Sequence, residues 1–162
     1  MASGVVLSAD GVNPYGPAQQ LSADAVIGTP TGDNANAGFL GEYQSNSTSN
    51  TGLTTGAPAN ATSISLTAGD WDVQGVVQFS PGATTTIAQQ AAGISSTSAT
   101  FGGVGTYTSF ILTFSTGTNS AFASPVVRIS LSSAATVYCV AMAQFGVSTM
   151  TCNGFIRARR VR

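Results

Sequence analysis

The groups able to do chemistry in this chain are few: five Arg, six carboxylates, two Cys and many hydroxyls, with no His and no Lys. Nucleophilic catalysis by Ser or Thr needs a general base to take the hydroxyl proton. With only carboxylates to serve, a triad is excluded and a hydroxyl–carboxylate dyad is all that remains. Glycoside hydrolysis needs two carboxylates across a sugar. Here they are Asp10, Asp24, Asp33, Glu42, Asp70 and Asp72. The first three fall in an irregular N-terminal segment, Asp70 reads as a turn residue in AGDW, and Asp72 as a solvated strand residue. Asp70 and Asp72 could hold Ca²⁺ only if further oxygen donors converged on them, and their spacing matches no EF-hand loop. The run Phe101-Gly102-Gly103-Val104-Gly105 imitates a phosphate-binding loop, yet TYTSFILTF follows it as a strand, where an anion site requires a helix N-terminus. No catalytic residue, metal or cofactor is expected.

Cys139 and Cys152 lack the CxxC spacing of zinc or redox sites. A cytoplasmic origin favours two free buried thiols over a disulfide. Four of the five Arg lie in the closing GFIRARRVR, residues 154–162. As a strand, this segment puts Phe155, Arg157, Arg159 and Val161 on one face and Ile156, Ala158, Arg160 and Arg162 on the other. The charge is split, so it is no basic stripe of the kind nucleic acid requires. Arg128, Arg157, Arg159, Arg160 and Arg162 are read as subunit- or capsid-interface candidates, because guanidinium groups pair bidentately and cover apolar surface with their stems. A merely solvated terminus is the competing reading.

Charged residues make up 7% of the chain, roughly a quarter of the usual share, and the net charge is −1. There is no field to draw in nucleic acid or to settle the chain on an anionic membrane. No apolar run reaches the roughly 18 to 20 residues that cross a bilayer, and MASGVVLSADG lacks a signal peptide's basic start, so cytoplasmic assembly is expected. A β-prone chain this poor in charge lacks the usual guards of sheet edges, which points to an oligomer or assembly component.

Residues 1–38 carry turn signals without a sustained period and read as an extended arm. Within it, LSADGV is echoed by LSADAV 14 residues on, either a two-copy repeat or chance similarity in a biased sequence. Val5, Leu7, Tyr15, Leu21, Val26 and Ile27 are the arm's candidate contacts. From Phe39 to Arg162 short β-branched and aromatic runs alternate with Gly, Pro, Asn and Ser clusters. Eight strands are predicted, at 39–45, 62–67, 71–79, 86–95, 107–114, 125–132, 135–145 and 153–161. They predict an all-β, jelly-roll-like β-sandwich behind the arm. In WDVQGVVQF, Trp71, Val73, Gly75, Val77 and Phe79 share the core face. In PVVRISLS, Ile129 and Leu131 face the core and Arg128 faces outward or into an interface. TVYCVAMAQF is apolar on both faces, as in a central strand covered twice or one covered by a neighbouring subunit. TIAQQAAGIS tolerates helix, but Gly93 and the Thr-rich lead-in favour strand.

GFLGEY, ATSISLTAGDWDVQGVVQF, GISSTSAT, VVRISLSSAATVYCVAMAQF and GFIRARRVR together resemble a domain of tailed-bacteriophage virion proteins, found in head-decoration proteins and at the C-termini of tail fibres. The resemblance spans about three quarters of the chain, from about residue 38 onward. It implies a jelly-roll sandwich that acts as a homotrimer without enzymatic activity. The short arm, with no heptads before the domain, suits a decoration (cement) protein on the outer surface of the capsid, partnered by the major capsid protein. The alternative is a tail-fibre tip that meets a host surface receptor through Ser/Thr/Asn-rich loops such as QSNSTSNTGLTTGAPANAT.

Overall fold

A computed structural model describes residues 32–162. The chain divides into two units, Met1–Asp33 and Asn34–Arg162, and every described strand belongs to the second. The candidate arm contacts Val5, Leu7, Tyr15, Leu21, Val26 and Ile27, and the LSAD echo, lie outside the described residues.

Among the described residues there are nine strands and no helix: β1 (Tyr43–Gly52), β2 (Ala59–Leu66), β3 (Gly69–Pro81), β4 (Thr86–Ser95), β5 (Tyr107–Phe114), β6 (Ser120–Ala123), β7 (Val127–Leu131), β8 (Ala135–Gly146) and β9 (Met150–Arg160). They form two antiparallel sheets. Sheet A runs β1-β9-β3 with β6 and β7 both on the far side of β3, and sheet B runs β2-β8-β4-β5. The chain thus pairs from its ends inward, β1 with β9, β2 with β8, β3 with β6/β7, and β4 with β5, which is the jelly-roll order.

The predicted eighth-strand count differs from nine because one strand is broken. At Ser124-Pro125 the ring removes a ladder donor. Ser124 repairs the gap: its N–H donates to Gly75 O at 2.8 Å and its Oγ accepts from Gly75 N–H at 2.9 Å. The half before the break, β6, has no counterpart among the predicted strands. The first strand also moves. Gly38 and Gly41 take φ of 85° and 90°, turning GFLGEY into a tight connection and leaving Phe39 and Leu40 exposed. β1 is instead YQSNSTSNTG, so much of the stretch read as a receptor loop is a polar edge strand. TIAQQAAGIS is strand β4, and TYTSFILTF follows the glycine run as β5.

The core lies between the sheets. Trp71, Val73, Val77 and Phe79 of β3 are fully buried against Ile156 and Ala158 of β9, Leu66 of β2, Val137 and Cys139 of β8 and Ile94 of β4. Ile129 and Leu131 point to the same side but are only partly buried, because β7 is at the margin of the sheet. Two glycines set how closely the sheets approach. A Cβ on Gly154 would lie 2.6 Å from the Ala61 backbone across the sandwich, and one on Gly75 would lie 2.5 Å from Cys139 Sγ. Cys139 and Cys152 are free buried thiols. Burial, helped by the neighbouring Cys152, pushes Cys139 up to about 12, and burial pushes Cys152 up to about 11. Neither forms a thiolate at neutral pH.

β8 is central, and its outer face is covered from within the chain around Val140. The 96–106 connection folds over it: Asn60 Nδ2 donates to Ser98 Oγ and Asn60 Oδ1 accepts from Ala99 N–H. Phe101 packs on Tyr107 at 5.4 Å between centroids and fills the space beside Gly93, the residue opposite Val140. Of the two explanations for an apolar outer face on β8, a strand covered twice is the one observed at Val140, which is fully buried.

Candidate functional site

Charge is distributed unequally between the sheets. β2, β4, β5 and β8 carry no Asp, Glu, Arg or Lys at all. Every charged side chain of Asn34–Arg162 lies in sheet A or in the segments entering and leaving it.

Three of the motif islands meet at one end of sheet A. Glu42 precedes β1, the turn Thr67-Ala68-Gly69 enters β3, and Arg160 ends β9; Tyr43 pairs with Arg159 and Trp71 with Arg160 in register. Arg160 lies on the inner face and is 5% exposed. Its Nε donates to Glu42 Oε2 at 2.9 Å, Nη1 to Ala68 O at 2.8 Å and Nη2 to Thr67 Oγ1 at 2.6 Å. Its Cζ stands 4.2 Å from the centroid of the Trp71 ring, a cation–π contact. Gly69, at φ +136°, clears the way, since a Cβ there would collide with Arg160 Nη1. Arg160 therefore cannot serve as a subunit or capsid contact: it is consumed inside the protomer, where a charge is tolerated only when paired and hydrogen-bonded.

Glu42 is equally buried. Burial pushes its carboxyl up, but this is outweighed by hydrogen bonds from Gly38 N–H at 2.8 Å, Gln44 Nε2 at 2.7 Å and Arg160, together with the Arg160 charge. The net result is a carboxyl held below its ordinary value. Sequence reasoning missed Glu42. Its signal was a lone acid in an apolar, glycine-flanked stretch of a chain nearly devoid of charge.

Asp70 is neither a turn residue nor solvated. It is the second residue of β3, 6% exposed, and pairs with Arg128 Nη2 at 3.1 Å and Arg162 Nε at 2.8 Å. The Ser130 hydroxyl and the Arg128 guanidinium hold its carboxyl down, against some opposition from burial, with the Arg162 and Arg128 charges adding to the effect. Two of the interface candidates are thus occupied in neutralising one acid. Their exposed stems still border the surface, as their side-chain exposures of 54% and 83% record.

Arg157 and Arg159 share one face of β9, as the alternation predicts, and that face is the outer one. With Tyr43, Asp72, Gln74 and Val126 they line an open groove of about 340 Å³ on the outer face of sheet A. Arg157 Nη2 donates to Gln74 Oε1 at 2.5 Å. Among the described residues, Arg157, Arg159 and Asp72 have no ion pair, and no group of three or more His, Cys, Asp or Glu converges to hold a metal. Asp70 and Asp72 project from the same face of β3, but only Asp70 gathers partners.

The second surface is β5. Among the described residues it is the open edge of sheet B, with Phe110, Ile111 and Leu112 at 38%, 80% and 48% exposure. The opposite edge, β2, is shielded by β1: Asn46 Nδ2 donates to Ser63 O at 2.8 Å and Thr48 Oγ1 meets Thr62 Oγ1 at 3.0 Å. On β5, Phe110 and Phe114 pack on Phe122 of β6, at 4.7 and 5.9 Å between centroids, fixing the strand while leaving its free edge bare. No model of a known protein family matches this chain, and no curated protein matches it.

Proposed function

We propose that this chain is a structural protein of a tailed-bacteriophage particle: a trimeric capsid decoration protein that clamps neighbouring major-capsid subunits through its N-terminal arm. The work is mechanical, holding adjacent capsomers together against the pressure of packaged DNA, and it calls for no catalytic group. The resemblance of the five sequence islands supports the setting. The bare β5 edge carries the assembly part. Soluble proteins guard such edges with Lys, Pro, bulges or a covering element, and β5 offers apolar side chains on both faces without a charge in its whole sheet. A second copy of the chain is the occupant that matches it, since an uncharged apolar strand has no electrostatic means of selecting a different partner.

The trimer should depend on that edge. Ile111→Lys puts a charge on its most exposed apolar residue, where the protomer has nothing to lose, so sedimentation should show a folded monomer with the parent's circular dichroism. A trimer of undiminished stability would remove β5 from the interface. The setting has its own test. Quantifying the protein in purified particles should give on the order of hundreds of copies, as a symmetric head lattice requires, and a handful of copies at the tail would sink the decoration reading.

A further inference from the structure

We propose that the groove on the outer face of sheet A binds a carboxylate-bearing saccharide. Four strands build its floor in register. Tyr43 of β1 lies opposite Arg159 of β9, Arg159 opposite Asp72 of β3, and Asp72 opposite Arg128 of β7. The next row places Ser45, Arg157 and Gln74 side by side. Arg157 and Arg159 are two residues apart on one face, roughly 6.6 Å along the strand, close enough for both guanidinium groups to reach a single carboxylate.

The remaining lining narrows the ligand. Asp72 is an acceptor without an ion pair among the described residues, so the ligand must bring donors as well as a negative charge. Gln74 accepts from Arg157 through Oε1 and donates one amide N–H to Ser124 O at 3.3 Å, so its second N–H lies beside the cations for a ligand. The 38%-exposed Tyr43 ring and the 58%-exposed Val126 supply apolar walls against which the C–H face of a sugar ring can lie. A carboxylate flanked by hydroxyls on a flat ring satisfies all three demands. A polyphosphate does not, because it brings no hydrogen-bond donors for Asp72 and no C–H face for the Tyr43 ring and Val126 to cover. The groove belongs to the protomer, so it exists whether or not the assembly proposal holds.

The test uses the full chain and three probes: a galacturonate trimer, a hyaluronan tetrasaccharide and sialyllactose, titrated by calorimetry at low salt. At least one should bind saturably, and its carboxyl-reduced counterpart should bind about tenfold or more weakly, the effect of losing one charge-assisted contact. Arg157→Gln and Arg159→Gln are surface changes that leave the core intact, and each should weaken binding to a similar degree. Arg162→Gln, outside the groove, should not. The proposal is overturned if all three probes fail to bind, if the reduced sugar binds equally well, or if a glutamate hexapeptide or sulfate binds as tightly as the best saccharide.

Discussion

Trp71→Ala should lower the stability of the sandwich by about 3 to 5 kcal/mol, the range for removing a buried aromatic from a packed core. Three losses combine. Trp71 is the largest fully buried side chain, and its removal opens a void at the centre of β3 that neighbours pinned in two sheets cannot collapse to fill. Its Nε1 also donates to Thr67 O at 3.0 Å, holding the turn that enters β3. Its ring is the surface on which the buried Arg160 guanidinium lies. Against a total of about 5 to 15 kcal/mol for an ordinary domain, such a loss leaves little margin. Denaturant unfolding followed by far-ultraviolet dichroism measures it, since Trp71 is the chain's only tryptophan and its fluorescence goes with it. Trp71→Phe should fall between the two, keeping a ring for the guanidinium and losing the Nε1 bond. A Trp71→Ala midpoint within about 1 kcal/mol of the parent would show that the side chain does not anchor the core.

How far this was legible beforehand follows from what alternation can express. WDVQGVVQF has a clean period of two, and its five core-facing residues are all buried. The same rule separates Arg157 and Arg159 from Ile156 and Ala158, and the structure turns the first pair outward and the second inward. Alternation groups Arg160 with Ile156 and Ala158, yet its charge argues for a surface. The resolving facts were an acid 118 positions away and a glycine that vacates the space, neither of which is local. β1 escaped for the opposite reason. YQSNSTSNTG has no apolar period, because it is a sheet edge whose side chains are mostly exposed and whose pairing to β9 is a backbone matter. The division of charge between the sheets could be counted in the sequence, but it acquires meaning only once β2, β4, β5 and β8 are known to be neighbours.

Arg160→Met should destabilise the domain by about 3 to 5 kcal/mol, and most of that loss should return when Glu42→Gln is added. Removing one partner of a buried pair strands the other charge in a poorly solvated site, whereas removing both leaves a neutral, packable one. The side chains of Arg160 and Glu42 are each 6% exposed, so water cannot easily rescue the carboxylate left behind. Gly38 N–H and Gln44 Nε2 still serve the two oxygens of Glu42 in the single variant; in the double variant the carbonyl oxygen of Glu42→Gln can accept from Gly38 N–H while its NH2 donates to the Gln44 amide oxygen once that amide flips. A double-mutant cycle measures the coupling, and additivity within about 0.5 kcal/mol would mean the pair is not a unit. Acid titration reads the same contact independently. The folded-state pKa of Glu42 lies below its unfolded value, so as pH falls the unfolded chain takes up the proton first. The stabilisation is therefore complete above the ordinary carboxylate range, about pH 4 to 5, and is lost as pH descends toward the depressed folded value. Glu42→Gln should flatten that acid limb without abolishing it, because Asp70, held down by Ser130 and Arg128, titrates in the same direction. An acid limb of unchanged slope in Glu42→Gln would assign the whole of it to Asp70 and leave the Arg160 pair with no part in the pH dependence.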